Sequence, residues 1–317
     1  MYEIPWFLSG ERKTFEGIAS PELGILWKYF SNIRYFYIFY RNVFLLQNFE
    51  AMFLWNEKAI QIVAGPCSVE SEEQLFATAR GLKKIGIQTL RGGIWKPRSR
   101  AHHFEGVGEP GLRWLQQVQQ ELSMQVATEV ATPRQAEVAL KYGIDILWIG
   151  ARTTVSPFMI QEIAEVLRGG DTPVMLKNPD LELWTGAVER LLDIDLKQLS
   201  LIHRGFSVLD AAPYRNIPCL EMALEMKKRF PGLPLFCDPS HICGKRGLLY
   251  GICAEALRLD MDGLFIESHC CPEVALSDAA QQLTPEALGK MFENLGIRQV
   301  ENNKLHLGCE ILIQRKG

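Results

Sequence analysis

A closed α/β architecture, the (β/α)8 or TIM barrel, is what this sequence predicts, because strand-length apolar runs alternate with helix-periodic segments eight times along its 317 residues. A second observation is that every run stops at an ionisable residue. Cys67, Arg91, Glu129, Arg152, Lys177, Arg204, His241 and Glu267 close QIVAGPC, QTLR, QVATE, ILWIGAR, PVMLK, LSLIHR, LPLFCDPSH and GLFIE. Length is the third: such a barrel needs about 250 residues, which suits this chain better than two average domains. Chemistry in a barrel gathers where the strands end, so the eight residues are expected at one mouth.

Taken in order from Ile60, the elements alternate strand and helix. The first helix is predicted from about Glu72 to Ile85, behind the acidic cluster Glu70, Ser71, Glu72 and Glu73, which suits a positive helix N-terminus. The same signals place helices at Pro110 to Leu122, Pro133 to Tyr142, Pro157 to Leu167, Glu182 to Leu192, Leu220 to Phe230, Lys245 to Leu259 and Pro285 to Leu295. Several open near proline, which the first turn tolerates, and several stop near glycine, as at Tyr142-Gly143 and Phe230-Pro231-Gly232. Strands buried on both faces explain why the intervening runs are continuously apolar instead of alternating. The longest strand-to-helix connection, from Gly92 through Lys96, Pro97, Arg98, Ser99, Arg100, His102 and His103 to about Glu109, is placed to bind substrate.

We read residues 1–51 as an N-terminal extension, 52–298 as the catalytic barrel and 299–317 as a short tail. The aromatic stretch from Trp27 to Leu46 is interrupted by Lys28, Asn32, Arg34, Arg41 and Asn42, which makes a poor membrane span, and no membrane association is expected. A net charge of -3 gives no nucleic-acid signal. The eight cysteines lack CxxC spacing and a secretory leader, so reduced thiols in a cytoplasmic protein are expected.

Two constellations carry the chemistry. Cys67, His241 and Glu267 sit at or past the ends of the first, seventh and eighth strands, neighbours once a barrel closes, and Asp278 lies in the loop after the eighth. One thiol, one imidazole and two carboxylates make a mixed donor set able to hold a divalent transition metal. Singly, Cys67 reads equally well as a small core residue and His241 as a loop histidine; jointly, at one mouth, they favour a metal. His269, Cys270 and Cys271 are nearby competitors.

The other constellation is cationic: Arg91, Lys96, Arg98, Arg152, Lys177 and Arg204, with Lys245 and Arg246 close to His241. Solvated surface charge accounts for Lys and Arg on helices but not for cations that end apolar strands. Guanidinium forks at such positions bind phosphate and carboxylate oxygens. Glu129 is expected to pair with these cations and orient them. Neither a nucleophile elbow nor a glycine-rich dinucleotide fingerprint is found in strand-turn-helix context, which argues against nicotinamide chemistry.

In order along the chain, AGPCSVES from Ala64, LRGGIWKPRS from Leu90, WIGAR from Trp148, HRG from His203, CDPSHICGKR from Cys237, IESH from Ile266 and ALSDAAQQLTP from Ala275 closely resemble the metal-dependent 3-deoxy-D-arabino-heptulosonate 7-phosphate (DAHP) synthases. The similar branch is the one related to 3-deoxy-manno-octulosonate 8-phosphate synthase, and the match covers about Ile60 to Arg298. Position by position, the resemblance implies that Cys67, His241, Glu267 and Asp278 hold a divalent metal (Mn, Fe, Zn or Co). It implies that Arg91, Lys96, Arg152, Lys177 and Arg204 contact phosphoenolpyruvate, and that Arg98 and Ser99 receive the phosphate of erythrose 4-phosphate. It also implies an aldol-like condensation, the first step of the shikimate pathway, with Lys96, Cys67 and His241 closest to the chemistry, in a homo-oligomer (dimer or tetramer).

The KPRS segment looks like that of the heptulosonate enzymes, whereas the octulosonate enzymes carry an asparagine-containing loop there. Octulosonate synthesis from arabinose 5-phosphate and a non-catalytic barrel binding phosphorylated metabolites are the alternatives. Against the family pattern, the loop after Lys177-Asn178-Pro179 is shortened. Residues 1–51 match no regulatory domain, and the tail is too short for a chorismate mutase bundle.

Overall fold

The computed structural model describes residues 60–97 and 102–297. The readings of residues 1–51, of the tail, and of Arg98 and Ser99 fall outside the described residues. Eight parallel strands close a barrel in sequence order: β1 (Gln61–Gly65), β2 (Thr89–Arg91), β3 (Gln125–Val130), β4 (Ile146–Ile149), β5 (Val174–Lys177), β6 (Leu199–His203), β7 (Leu235–Cys237) and β8 (Gly263–Glu267), with β8 pairing back onto β1. Among the described residues ten α-helices connect or follow them: α1 (Glu72–Lys84), α2 (Pro110–Leu122), α3 (Pro133–Lys141), α4 (Ala151–Thr154), α5 (Pro157–Leu167), α6 (Leu181–Asp193), α7 (Leu220–Arg229), α8 (Pro239–Cys243), α9 (Leu249–Arg258) and α10 (Pro285–Asn294).

Local sequence sets the helix starts. Ser71, Thr132, Ser156, Asp180, Asp238 and Thr284 each accept the backbone N–H three residues on, capping α1, α3, α5, α6, α8 and α10. Pro110, Pro133, Pro157, Pro239 and Pro285 occupy the first turn, where no amide hydrogen is required. Two short helices, α4 and α8, were not expected. The predicted Lys245 to Leu259 helix splits into a 3₁₀ turn, Arg246–Leu248, and α9.

The core has two parts. A large shell of buried Leu, Ile, Val and Ala packs the helices on the outer face of the strands. Inside the barrel a separate cluster, Val63, Ala127, Ile146, Trp148, Met175, Ile202, Phe236 and Phe265, fills the lumen. Because side chains alternate along a strand, the position two residues beyond each topmost lumen residue faces the mouth. Those positions are Gly65, Glu129, Gly150, Lys177, Arg204, Asp238 and Glu267, and on β2 Arg91 follows Thr89 in the same register. Trp148 and Phe265 meet edge to face, with centroids 5.2 Å apart, and form the floor beneath them.

This count corrects the reading that all eight residues end strands. Arg91, Lys177 and Glu267 do, and Glu129 is the penultimate residue of β3. Arg204 lies one residue past β6 and Cys67 two past β1. Arg152 sits within α4 and is exposed, and His241 sits within α8. Where the mouth-facing position is glycine, at Gly65 and Gly150, the ionisable residue is carried beyond the strand by close packing. A Cβ on Gly65 would lie 2.0 Å from the Arg91 carbonyl oxygen, and one on Gly150 would lie 2.0 Å from Glu129 Oε1.

Candidate active site

Floor residues are buried and cross-linked. The Arg91 guanidinium lies 4.5 Å from the Phe265 centroid and 4.8 Å from that of Trp148, and Lys177 Nζ lies 4.6 Å from the Phe265 centroid. Arg91 Nη2 approaches Glu267 Oε1 to 3.3 Å, both side chains being fully buried. Lys177 Nζ donates to Asp238 Oδ2 at 2.6 Å. Burial, the largest influence, and the neighbouring Arg91 charge push the Lys177 ammonium below its ordinary range, against the pull of Asp238. Burial alone would raise the Asp238 carboxyl, yet His241 and Lys177 hold it far below the usual carboxylate range.

Asp238 is the residue the sequence reading missed. It takes the mouth-facing position on the seventh strand, caps α8 by accepting the His241 backbone N–H at 3.0 Å, and places Oδ2 2.8 Å from His241 Nδ1. The signal was present: Asp238 stands two residues after the lumen residue Phe236 and directly before Pro239-Ser240-His241, a helix-start pattern.

Above this floor lies a donor cluster. One ligand atom each from Cys67, Glu267 and Asp278 fall within 4.8 Å of one another, a set that can hold a metal ion. His241 Nε2 stands 3.7 Å from Glu267 Oε1 and 3.7 Å from Asp278 Oδ2. Cys67 Sγ donates to Asp278 Oδ2 at 3.4 Å, and burial, reinforced by Glu267, pushes its thiol up to about 12. Burial lowers the His241 imidazole from its ordinary value, favouring the neutral ring that ligation requires. Asp278 is partly buried, which works to raise it, but His241, Arg215 and Lys96 hold it well below the carboxylate range. Glu267 Oε1 is buried with no hydrogen-bond partner among the described residues. A buried carboxylate oxygen that makes no hydrogen bond among the described residues and meets the Arg91 guanidinium at 3.3 Å stands amid sulfur, nitrogen and oxygen donors, which fits a divalent transition ion. His269, Cys270 and Cys271 form no such cluster among the described residues; His269 Nδ1 instead accepts the Cys271 backbone N–H at 2.9 Å.

Lys96 joins the two levels. Its Nζ donates to the Cys67 carbonyl at 3.0 Å and lies 3.5 Å from Glu129 Oε2. Although burial, the largest influence, works to lower it, the ammonium is held above its ordinary value by Cys67, Glu129 and Glu267. Arg204 enters just past β6, its backbone N–H donating to Asn178 Oδ1 at 2.7 Å while Asn178 Nδ2 donates to the Gly205 carbonyl at 3.0 Å. The connection after Lys177 holds a buried clamp, Asn178, and the cap of α6, Asp180. Arg91 Nε and Nη1 and Arg204 Nε are buried without hydrogen-bond partners among the described residues. Buried donors left open on two guanidinium groups are suited to an anionic ligand. Burial, the largest influence, and the nearby Arg215 and Arg152 charges lower Arg204 from its ordinary value, against the pull of Asp238, so the cations crowd one side of the mouth.

A family model described as "DAHP synthetase I family" matches residues 46–300. Phospho-2-dehydro-3-deoxyheptonate aldolase of Thermotoga maritima is 31% identical over 241 residues, 74% of this chain and 68% of the relative. A crystal structure of that DAHP synthase from Thermotoga maritima superposes with a TM-score of 0.68 at 30% identity, covering 76% of this chain and 69% of the other. The 2-dehydro-3-deoxyphosphooctonate aldolase of Nitrosococcus oceani is 29% identical over 261 residues, 75% of this chain and 89% of the relative. Among the described residues no helix is long and apolar enough to cross a membrane.

Proposed function

Because the chain belongs to the DAHP synthetase I family, we propose that its barrel mouth condenses phosphoenolpyruvate with erythrose 4-phosphate, giving DAHP and inorganic phosphate. The observation that carries this reading is the stacking of a cationic floor beneath the Cys67, Glu267 and Asp278 donor cluster in one mouth. It is an enzyme of the transferase class, 3-deoxy-7-phosphoheptulonate synthase.

The site chemistry follows from the residues. Arg91 and Lys177 are fixed against Trp148 and Phe265, so their charges are in place before an anion arrives. With Arg204 and Arg152 they take the carboxylate and phosphate of phosphoenolpyruvate; the open donors on Arg91 and Arg204 support that role. Arg98 and Ser99 take the phosphate of the aldose, and Glu129 orients Lys96. Two anionic substrates so held react as one unit, the methylene carbon of phosphoenolpyruvate forming a bond to the aldehyde carbon. Water then adds at the former enol carbon and phosphate departs by carbon–oxygen cleavage. Lys96, kept protonated by Cys67, Glu129 and Glu267 despite its burial, donates a proton to the alkoxide formed at the aldehyde oxygen.

Cys67, His241, Glu267 and Asp278 are the residues that would hold Mn, Fe, Zn or Co. When bound there, such an ion supplies Lewis acidity beside the reacting carbonyl. Loading a thiol pushed up to about 12 requires its proton to leave, so metal uptake strengthens as pH rises. We assign residues 52–298 to the catalytic barrel, in a cytoplasmic homo-oligomer.

Purified protein supplied with Mn²⁺, phosphoenolpyruvate and erythrose 4-phosphate is expected to release phosphate. Octulosonate relatives also match this chain, so arabinose 5-phosphate is the control aldose. Turnover with arabinose 5-phosphate alone moves the assignment to octulosonate synthesis, and binding without phosphate release under any of the four metals overturns the enzymatic reading.

A further inference from the structure

The adjacent pair Gln281 and Gln282 takes no part in the chemistry above, yet both are buried. They lie in the loop after β8, three and four residues past Asp278, Gln281 ending a 3₁₀ turn that begins at Ala279 and Gln282 following it in extended conformation. Gln281 Nε2 donates to Glu267 Oε2 at 2.7 Å, while Gln281 Oε1 accepts from Arg215 Nη1 at 3.0 Å. The same Arg215 nitrogen lies 3.1 Å from Asp278 Oδ1. Gln282 Oε1 accepts the Cys67 backbone N–H at 2.9 Å, and Gln282 Nε2 donates to the Ser277 carbonyl at 2.8 Å, one residue before Asp278. Arg246 fixes this segment from outside by donating to the Gln282 and Ala279 carbonyls at 2.6 and 2.8 Å.

We infer that Gln281 and Gln282 are positioning residues that aim three ligands of the proposed metal site, Gln281 the two carboxylates and Gln282 the thiol. Gln281 occupies one oxygen of Glu267 and leaves the other, Oε1, free of hydrogen bonds among the described residues, 3.7 Å from His241 Nε2 and ion-paired with Arg91. Through Arg215 it also holds the outer oxygen of Asp278, whose backbone is in the left-handed region at φ 49°. That conformation is uncommon for a residue with a Cβ and needs neighbours to maintain it. Gln282 fixes the backbone from which the Cys67 thiol projects. Hydrogen-bonded partners of ligands restrict their orientation, and losing one typically weakens metal binding about 10- to 100-fold. A side-chain amide suits the task because it donates to a carboxylate and accepts from a guanidinium or amide at once, without adding charge to a site that already holds two carboxylates.

The inference rests on the metal reading of the site, and titration of the metal-free protein with Co²⁺ separates the two. Cobalt binding by the wild-type protein, with a thiolate-to-metal charge-transfer band, supports the site itself; no binding and no band removes the site and the inference together. Given wild-type binding, Gln281→Met is expected to weaken cobalt affinity about 10- to 100-fold with the thiolate band kept at saturation. Gln282→Met is expected to reduce or shift that band. Affinities and spectra equal to wild type in both variants overturn the inference while leaving the metal site standing. If either methionine variant fails to fold, Gln281→Glu, which keeps an acceptor for Arg215 but loses the donor to Glu267, is measured instead. Weakened cobalt binding with an unchanged apo melting temperature supports positioning; unchanged affinity overturns it.

Discussion

The two levels of the mouth are built differently. The floor residues Arg91, Lys177 and Glu267 are the last residues of their strands, and Asp238 follows directly on β7; each is fixed by strand register and buried against Trp148 or Phe265 or against another charge. In the upper level, Cys67, His241 and Asp278 come from connections after the strands, held by helix caps and glutamine hydrogen bonds. Floor side chains therefore serve stability and function together, because removing one leaves a buried counter-charge exposed to nothing. Upper-level side chains can be changed with less damage to the fold.

Cys67→Ala tests the upper level and has the largest expected effect. A small buried side chain replaces another, so the apo melting temperature is expected to stay within a few degrees of wild type. Bound metal and phosphate release are both expected to vanish. Retained metal-dependent turnover removes Cys67 from the ligand set.

Lys177→Met tests the floor. It removes the cationic partner, at 2.6 Å, of the fully buried Asp238 and leaves that carboxylate, among the described residues, only the His241 backbone N–H and ring. Destabilisation of about 3–5 kcal/mol is expected in urea unfolding, the usual result of breaking one side of a buried ion pair. Turnover is expected to fall about 10²- to 10³-fold through loss of a preorganised cation. Unchanged stability with lost activity would erase the contrast between the levels at this position.

Legibility from the sequence follows the same division. Alternating apolar runs, first-turn prolines and terminal glycines located seven of the ten described helices to within a residue or two, because those signals act within a turn of themselves. Floor cations were legible because an ionisable residue ending an apolar run has few other reasons to be there. Asp238 was missed because it lies inside the run LPLFCDPSH, which ends on the ionisable His241, and because α8 is too short to leave a periodic signal. Arg152 was read as ending β4, whereas Gly150 already fills the mouth-facing position and Arg152 follows in α4. Gln281 and Gln282 act across more than ten residues of sequence, and nothing in their spacing announces it.

Gly150→Ala probes the seam between the levels. Its added Cβ would overlap Glu129 Oε1, the end of a side chain that can swing aside, so the expected loss of stability is at most about 1–3 kcal/mol. Glu129 would then move from Lys96, whose ammonium it meets at 3.5 Å. Displacement of about 1 Å near a reacting centre costs up to about 10²-fold in rate. A loss of turnover between about 10- and 100-fold, with metal binding intact, is the expected result. Wild-type turnover would mean that Glu129 does not orient Lys96.

The smallest expected effect on turnover lies at His203, whose ring turns outward from β6 onto α6, away from the lumen and the mouth. Its ring is fully buried, stacks on Trp184 and contacts the Pro218 carbonyl through Nε2, while Nδ1 has no hydrogen-bond partner among the described residues. Burial lowers its pKa from 6.5 to about 4. Between those values the unfolded chain carries the extra proton, so stability present above pH 6.5 is lost as pH falls toward 4. Full protonation corresponds to about 3 kcal/mol, at about 1.36 kcal/mol for each pH unit of difference. Buried His241, also lowered, acts in the same direction. Urea unfolding of the metal-free protein between pH 7 and pH 5 should therefore show declining stability, with a shallower decline in His203→Gln and the same turnover at pH 8. An equal decline in the variant would assign the acid sensitivity to His241 and the upper level instead of to the shell between β6 and α6.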